Sequence, residues 1–209
     1  MTLGGALFLL PIQLQQVSGY TPLQAGVALL PVTVIMLALS AGSGALAARI
    51  GPRLQMSIGP VLIGAGLALA ACIGPADSYL TEVLPGVLVF GLGLAATVAP
   101  LTSTALAAAP NRRAGIASAI NNDVARAAGL IAVAVLPAAA GITGYAYQHP
   151  GAFEHGFTTA VLLAAAICAL GGCLAAITIR NPARKPARLG RPCFNCAVDG
   201  SPLISTEGR

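Results

Sequence analysis

Gly44 to Arg53, GALAARIGPR, is a short basic joint between two long apolar runs, residues 23–47 and 54–73, neither of which carries an acidic or basic side chain. A helix needs about 20 such residues, at about 1.5 Å of rise each, to cross the hydrocarbon core of a bilayer. The joint is therefore a tight turn between two membrane-length helices. Arg49 and Arg53 within it fix the turn on the cytoplasmic side, because Lys and Arg are retained there, and this sets the direction of every other span.

Composition leaves little room for another class. The chain is 56% hydrophobic and only 8% charged, with a mean hydropathy of +0.84, so it lacks the polar residues that would cover a water-soluble globule. Runs of span length occur five times, with a shorter one at the amino end. The alternation of a strand barrel is absent. A net charge of +5 does not point to nucleic acid: the basic residues sit in short loops and a tail, and without Trp there is little to stack on bases. They suit the anionic lipid surface instead. Five Cys, three inside apolar runs (Cys72, Cys168, Cys173) and two in the tail (Cys193, Cys196), do not make a disulfide framework.

The first run, residues 2–17, is short for a span and lacks the charged start and cleavage site of a signal peptide, so it reads as a span whose beginning is missing or has been cut close. Gln13, Gln15 and Gln16 lie toward its end. Buried, they would be hydrogen-bonding groups facing a cavity; at the interface they would be solvated, and the interface is the preferred reading. After Gly19, Thr21-Pro22-Leu23-Gln24 predicts a helix start with Thr21 as N-cap and Gln24 reaching back. Pro31 is expected to bend the second span, residues 23–47. The third covers 54–73. The fourth has its core at 84–101, with a thin face of Gly86, Gly91 and Gly93 and candidate polar contacts at Thr97, Thr102 and Ser103.

The fifth span, residues 116–145, carries Asn121, Asn122, Asp123 and Arg126, the densest polar cluster at membrane depth. Asp123 and Arg126 stand three apart, so they share a helix face and can neutralise each other. They either face protein or water, since each unpaired charge at mid-bilayer costs about 2.5–3.5 kcal/mol, or snorkel to the nearer interface. Residues 148–156 hold His149, Glu154 and His155 and read as a plain polar loop, not a metal site. The sixth span covers 157–179. Cys193 and Cys196 form a lone C-x-x-C in a polar tail with a disordered composition.

Apart from Arg126 and the terminal Arg209, every Lys and Arg falls after spans two, four and six. That alternation places both chain ends in the cytoplasm of a multi-pass protein. The expected fold is an all-α integral membrane domain over residues 1–180, with six transmembrane helices as two inverted three-helix repeats, followed by a basic, disordered cytoplasmic tail over 181–209.

GALAARIGPR resembles the signature loop of the major facilitator superfamily, Gly-x-Leu-Ala-Asp-Arg-x-Gly-Pro-Arg, with matches at Gly44, Leu46, Ala47, Arg49, Gly51, Pro52 and Arg53. Upstream, residues 8–26 (FLLPIQLQQVSGYTPLQAG) resemble the opening of the carboxy-terminal half in the fourteen-helix drug:proton antiporter branch. Residues 110–118 (PNRRAGIAS), with Asn121, Asn122 and Arg126, resemble the start of that branch's penultimate helix. Ala48 departs from the pattern: the family's Asp there joins a contact between helix ends that stabilises one access state, and Arg49 lacks that partner here.

The resemblance implies a carboxy-terminal half in which spans one and four line a central cavity, spans two and five meet the other half, and spans three and six face outward. The activity it implies is efflux of hydrophobic compounds from the plasma membrane in exchange for protons. Gly44, Arg49, Gly51 and Arg53 become candidate gating residues, and Gln13, Gln16, Thr97, Asn121, Asn122, Asp123 and Arg126 candidate contacts with the cavity or the other half. Asp123 is the intramembrane carboxylate to nominate for coupling. The partners implied are the lipid bilayer, a hydrophobic small molecule, and either a missing amino-terminal half or a second copy. No cofactor, metal or catalytic residue is expected: there is no nucleophile elbow, no His-Glu-x-x-His and no paired catalytic carboxylates. Two other readings stay open, a half-size transporter working as a homodimer and a non-transporting membrane remnant.

Overall fold

The computed structural model describes residues 2–74, 78–107 and 114–179, all of it helix and connecting turn. The order is α1 (Thr2–Gln16), α2 (Pro22–Ala28), α3 (Leu30–Ile50), α4 (Pro52–Ala70), a π-helical turn (Tyr79–Val83), α5 (Leu84–Ala107), α6 (Ala114–Ala139), a 3₁₀ turn (Ala146–Gln148) and α7 (Pro150–Thr178). Five stretches are long and apolar enough to cross a membrane: 22–47, 52–70, 79–105, 115–139 and 150–178. α1, at 15 residues, measures about 22 Å and packs beside them on α6 and α7. The expected tail over 181–209 lies outside the described residues.

Local chemistry sets the boundaries. Gly19 turns the chain at φ 71°, and Thr21 then caps α2. Its backbone N–H donates to Gln24 Oε1 at 2.9 Å while its hydroxyl accepts from Gln24 N at 3.3 Å, so both orphan donors are satisfied. Gly51 separates α3 from α4 at φ 92°, a conformation any Cβ would strain, and Pro52 opens the next helix. That is the physical reason for Gly-Pro in the basic joint.

Three spans depart from their expected outlines. The second does not merely bend at Pro31; it breaks at Leu29 into α2 and α3, because Pro31 has no N–H to continue the ladder. The fifth ends at Ala139, not at residue 145: Gly141 at φ 74° turns the chain, and Ile142 N–H closes back on Pro137 O at 2.8 Å. The sixth begins seven residues early, at Pro150, so most of the expected polar loop at 148–156 is the first two turns of α7, with His149 as its N-cap residue.

Packing follows a two-fold pattern. α1 packs on α6 and α7; α5 packs on α3 and α4; α4 and α7 pack on each other. Exchanging α1 with α5, α3 with α6 and α4 with α7 maps this set onto itself. Three spans per repeat leave the two repeats pointing in opposite directions, so the bundle is a pair of inverted three-helix repeats.

Seams between spans are built from small residues, as expected where lipid removes the hydrophobic drive between helices. A Cβ added at Gly66 would lie 2.5 Å from Phe90 N, and one at Gly93 would lie 2.5 Å from Ile63 N, so α4 and α5 touch nearly backbone to backbone. Gly64 faces Ala165 O of α7, and Gly4 of α1 faces Gly129 of α6 in the same way. The central core runs through Leu9, Leu14, Leu67, Phe153 and Phe157, each at most 1% exposed.

Candidate functional site

The basic joint ties α3 and α4 to the far end of the chain's last helix. Arg53 Nε donates to Ala176 O at 2.9 Å, in the final turn of α7, where unpaired carbonyls and the negative end of the helix dipole favour a cation. Ser57 donates back to Arg53 O at 2.7 Å, and Gln55 Nε2 reaches Ser43 Oγ of α3 at 3.4 Å. Arg49 is exposed in the last turn of α3, and Gly44 faces Ala99 of α5. The loop is thus a local clamp of one half, whatever else it meets.

The three candidate hydroxyls of the fourth span are spent on their own helix. Thr97 donates to Gly93 O at 2.7 Å, Thr102 to Val98 O at 3.0 Å and Ser103 to Pro100 O at 3.1 Å. Thr97 also sits in the α4–α5 seam, where a Cβ on Gly59 would collide with its Oγ1.

Of the three glutamines of α1, Gln16 is exposed, Gln15 donates to Pro11 O, and Gln13 is fully buried, inside the bundle and not in the interfacial position preferred for it. Gln13 Nε2 donates to Ile73 O at 3.0 Å, and its Oε1 has no protein partner. The same turn past α4 accepts Ser18 Oγ at Gly74 O and Thr158 Oγ1 at Ala71 O. Carbonyls that no helix serves are met from α7, α1 and the turn after it. Sequence reading missed this cluster, whose one signal is a run of polar side chains near the ends of spans one and six that lack Lys and Arg.

The polar group of α6 is arranged differently. α6 buries Ala132 and Leu136 against the bundle, with Gly129 on α1. Nine residues before Ala132, at about 100° each, bring the helix round to its opposite side, and there stands Asp123. Asn122, Asp123 and Arg126 are exposed; Asn121 is half-buried. Asp123 lies nine residues past Ala114, about 14 Å along a helix of 26 residues. Among the described residues no ion pair joins it to Arg126. The stripe around it is apolar and equally uncovered: Ile116, Ile120, Val124 and Leu130 are each more than half exposed. Spans two and five bury just 17% and 11% of their most apolar stretches, against 44% for α4 and 50% for the span built on α5.

Nothing of drug size fits in the gap at the centre of this half. A crevice between α1, α3, α4 and α5, lined by Leu10, Leu29, Val32, Leu67, Val87 and Phe90, has room of about 10 Å³, roughly one water, where small-molecule sites run to about 300–1,000 Å³. His149 stacks on Tyr145 with ring centroids 3.8 Å apart, and among the described residues no three His, Cys, Asp or Glu side chains gather into a metal-binding group.

Residues 1–134 match the sequence profile of the Major Facilitator Superfamily. The chain belongs to this superfamily of membrane transporters. A puromycin resistance protein of Streptomyces alboniger is 33% identical over 190 residues, 84% of this chain and 37% of the relative. A tetracenomycin C resistance and export protein of Streptomyces glaucescens is 32% identical over 136 residues, and the multidrug resistance protein Stp of Mycobacterium tuberculosis 35% over 132; each match takes 63% of this chain and 24% of the relative. The chain therefore spans about a quarter to two fifths of the length of these curated relatives.

Proposed function

We propose that this six-helix body is one half of a drug exporter that expels hydrophobic compounds in exchange for protons, and that it is inactive by itself. The observation that carries the reading is Asp123, in the first half of the apolar helix α6 and turned away from its own bundle. A carboxylate aimed at lipid there would cost about 2.5–3.5 kcal/mol, so its face needs a protein or aqueous neighbour. Covering α3 and α6 with a second six-helix body supplies that neighbour and creates, between the bodies, the space for ligand that the central crevice lacks. The two bodies then rock to expose that space alternately to either side. The relatives' names, which speak of resistance to puromycin, of tetracenomycin C export and of multidrug resistance, support this substrate class.

In this reading the protein lies in the plasma membrane with its basic turns and both chain ends in the cytoplasm. Asp123 is the proton-coupling carboxylate, and the second body is the amino-terminal half of the same transporter. The test is proteoliposomes loaded with a fluorescent cationic dye and given a proton gradient. The chain alone is expected to build no dye gradient, and addition of the amino-terminal half to restore one; a gradient built by the chain alone would show that two copies suffice.

A further inference from the structure

Span two carries a break, a latch and a void at one point. Pro31 has no N–H to offer Val27 O, and Val32 N–H, whose place in an unbroken helix is on Ala28 O, turns instead to Leu29 O at 3.1 Å. Ala28 O is thereby released, and Tyr79 takes it: its hydroxyl donates to Ala28 O at 3.1 Å from the π-helical turn that opens span four. Beneath the break lies the apolar crevice, to which Leu29 and Val32 contribute from span two and Gly86, Val87 and Phe90 from span four. α2 itself is lightly held. Of its seven residues only Ala25 and Ala28 are buried, and a side chain at Gly26 would meet open space.

We propose that Leu29–Pro31 is a hinge on which α2 swings as a unit, and that the Tyr79 hydroxyl is the latch that ties its last residue to span four. With the latch bonded, Ala28 is satisfied and the gap admits about one water. Released, α2 moves on a joint that already has its ladder interrupted, and Leu29, which lines the crevice at that joint, moves with it. π-helical turns inside α-helical spans often mark functional positions, and here the turn is what presents Tyr79 to the break. The inference goes beyond the transport reading and does not rest on it, because hinge and latch both lie within this chain.

Amide hydrogen exchange of the full chain in lipid nanodiscs tests it. Tyr79→Phe removes one hydroxyl and is expected to speed exchange across residues 22–30 by about three- to tenfold, the weight of one hydrogen bond, with α4 and α7 unchanged. Unchanged exchange at 22–30, or an equal rise through α4 and α7, overturns the latch. Pro31→Ala tests the hinge with Tyr79 left in place: residue 31 then supplies the missing N–H and Val32 N–H can return to Ala28 O, exchange at 29–32 is expected to slow, and adding Tyr79→Phe no longer loosens 22–28. If Pro31→Ala leaves those amides as they were, or the double variant loosens α2 as much as Tyr79→Phe alone, there is no hinge at this position.

Discussion

At Gly66 and Gly93 the two helices α4 and α5 approach so closely that even a methyl group has nowhere to go, since the nearest atoms are backbone nitrogens 2.5 Å away. Backbone cannot rotate aside as a side chain can, so the helices must part. Gly66→Ala is accordingly expected to destabilise the bundle by about 1–3 kcal/mol, measured by unfolding under steric trapping in bicelles. Gly171→Ala on α7 is the control, because a Cβ there meets nothing within 4 Å, and it is expected to be neutral or to stabilise by up to about 1 kcal/mol. An equal loss from both would mean that the seam does not depend on the close approach. The glycines of span four were legible in the sequence as a thin face, but not their targets. A run of small residues says that something comes near; it takes the two-fold arrangement of spans to say that Gly93 meets Ile63.

Single helices repeat this division between what a pattern states and what partners decide. The capping box at Thr21 and the Gly-Pro turn at Gly51 were legible because each is closed within four residues. The break at Leu29 was legible only as a bend, since the donor that serves the freed Ala28 O is Tyr79, 51 residues on from Ala28. α7 starts early for a related reason: Pro150 opens the helix and Phe153 and Phe157 anchor its first turns in the core, fully buried, so the polar residues between them are carried along on its outer side. Arg53 offers a test at this scale. Arg53→Ala removes the donor to Ala176 O and is expected to raise exchange in the last turn of α7, with a cost of at most about 1 kcal/mol because the site is exposed. Fraying of α7 equal to that of the unaltered chain would leave Arg53 with no part in closing that helix.

As a whole, the molecule is well packed along α4 and α5 and bare along α3 and α6, a contrast that no single span discloses. The sequence showed a polar cluster in span five but left open whether it snorkels or faces protein, because depth and direction depend on which side of α6 the bundle claims. Gly129, Ala132 and Leu136 claim the side opposite Asp123. For the six-helix body by itself this makes the charge a burden without a compensating contact. Asp123→Leu is therefore expected to stabilise the isolated chain in a bilayer by about 2–3 kcal/mol, read as slower unfolding under steric trapping. In the same variant, dye transport by the assembled exporter is expected to fall to background if Asp123 carries the proton. A loss of stability in the isolated chain would instead reveal a partner for the carboxylate within its own half and remove the reason for placing a second body there. Gain of stability together with loss of transport is the combination that a functional carboxylate, held at a cost by one half for use between two, should give.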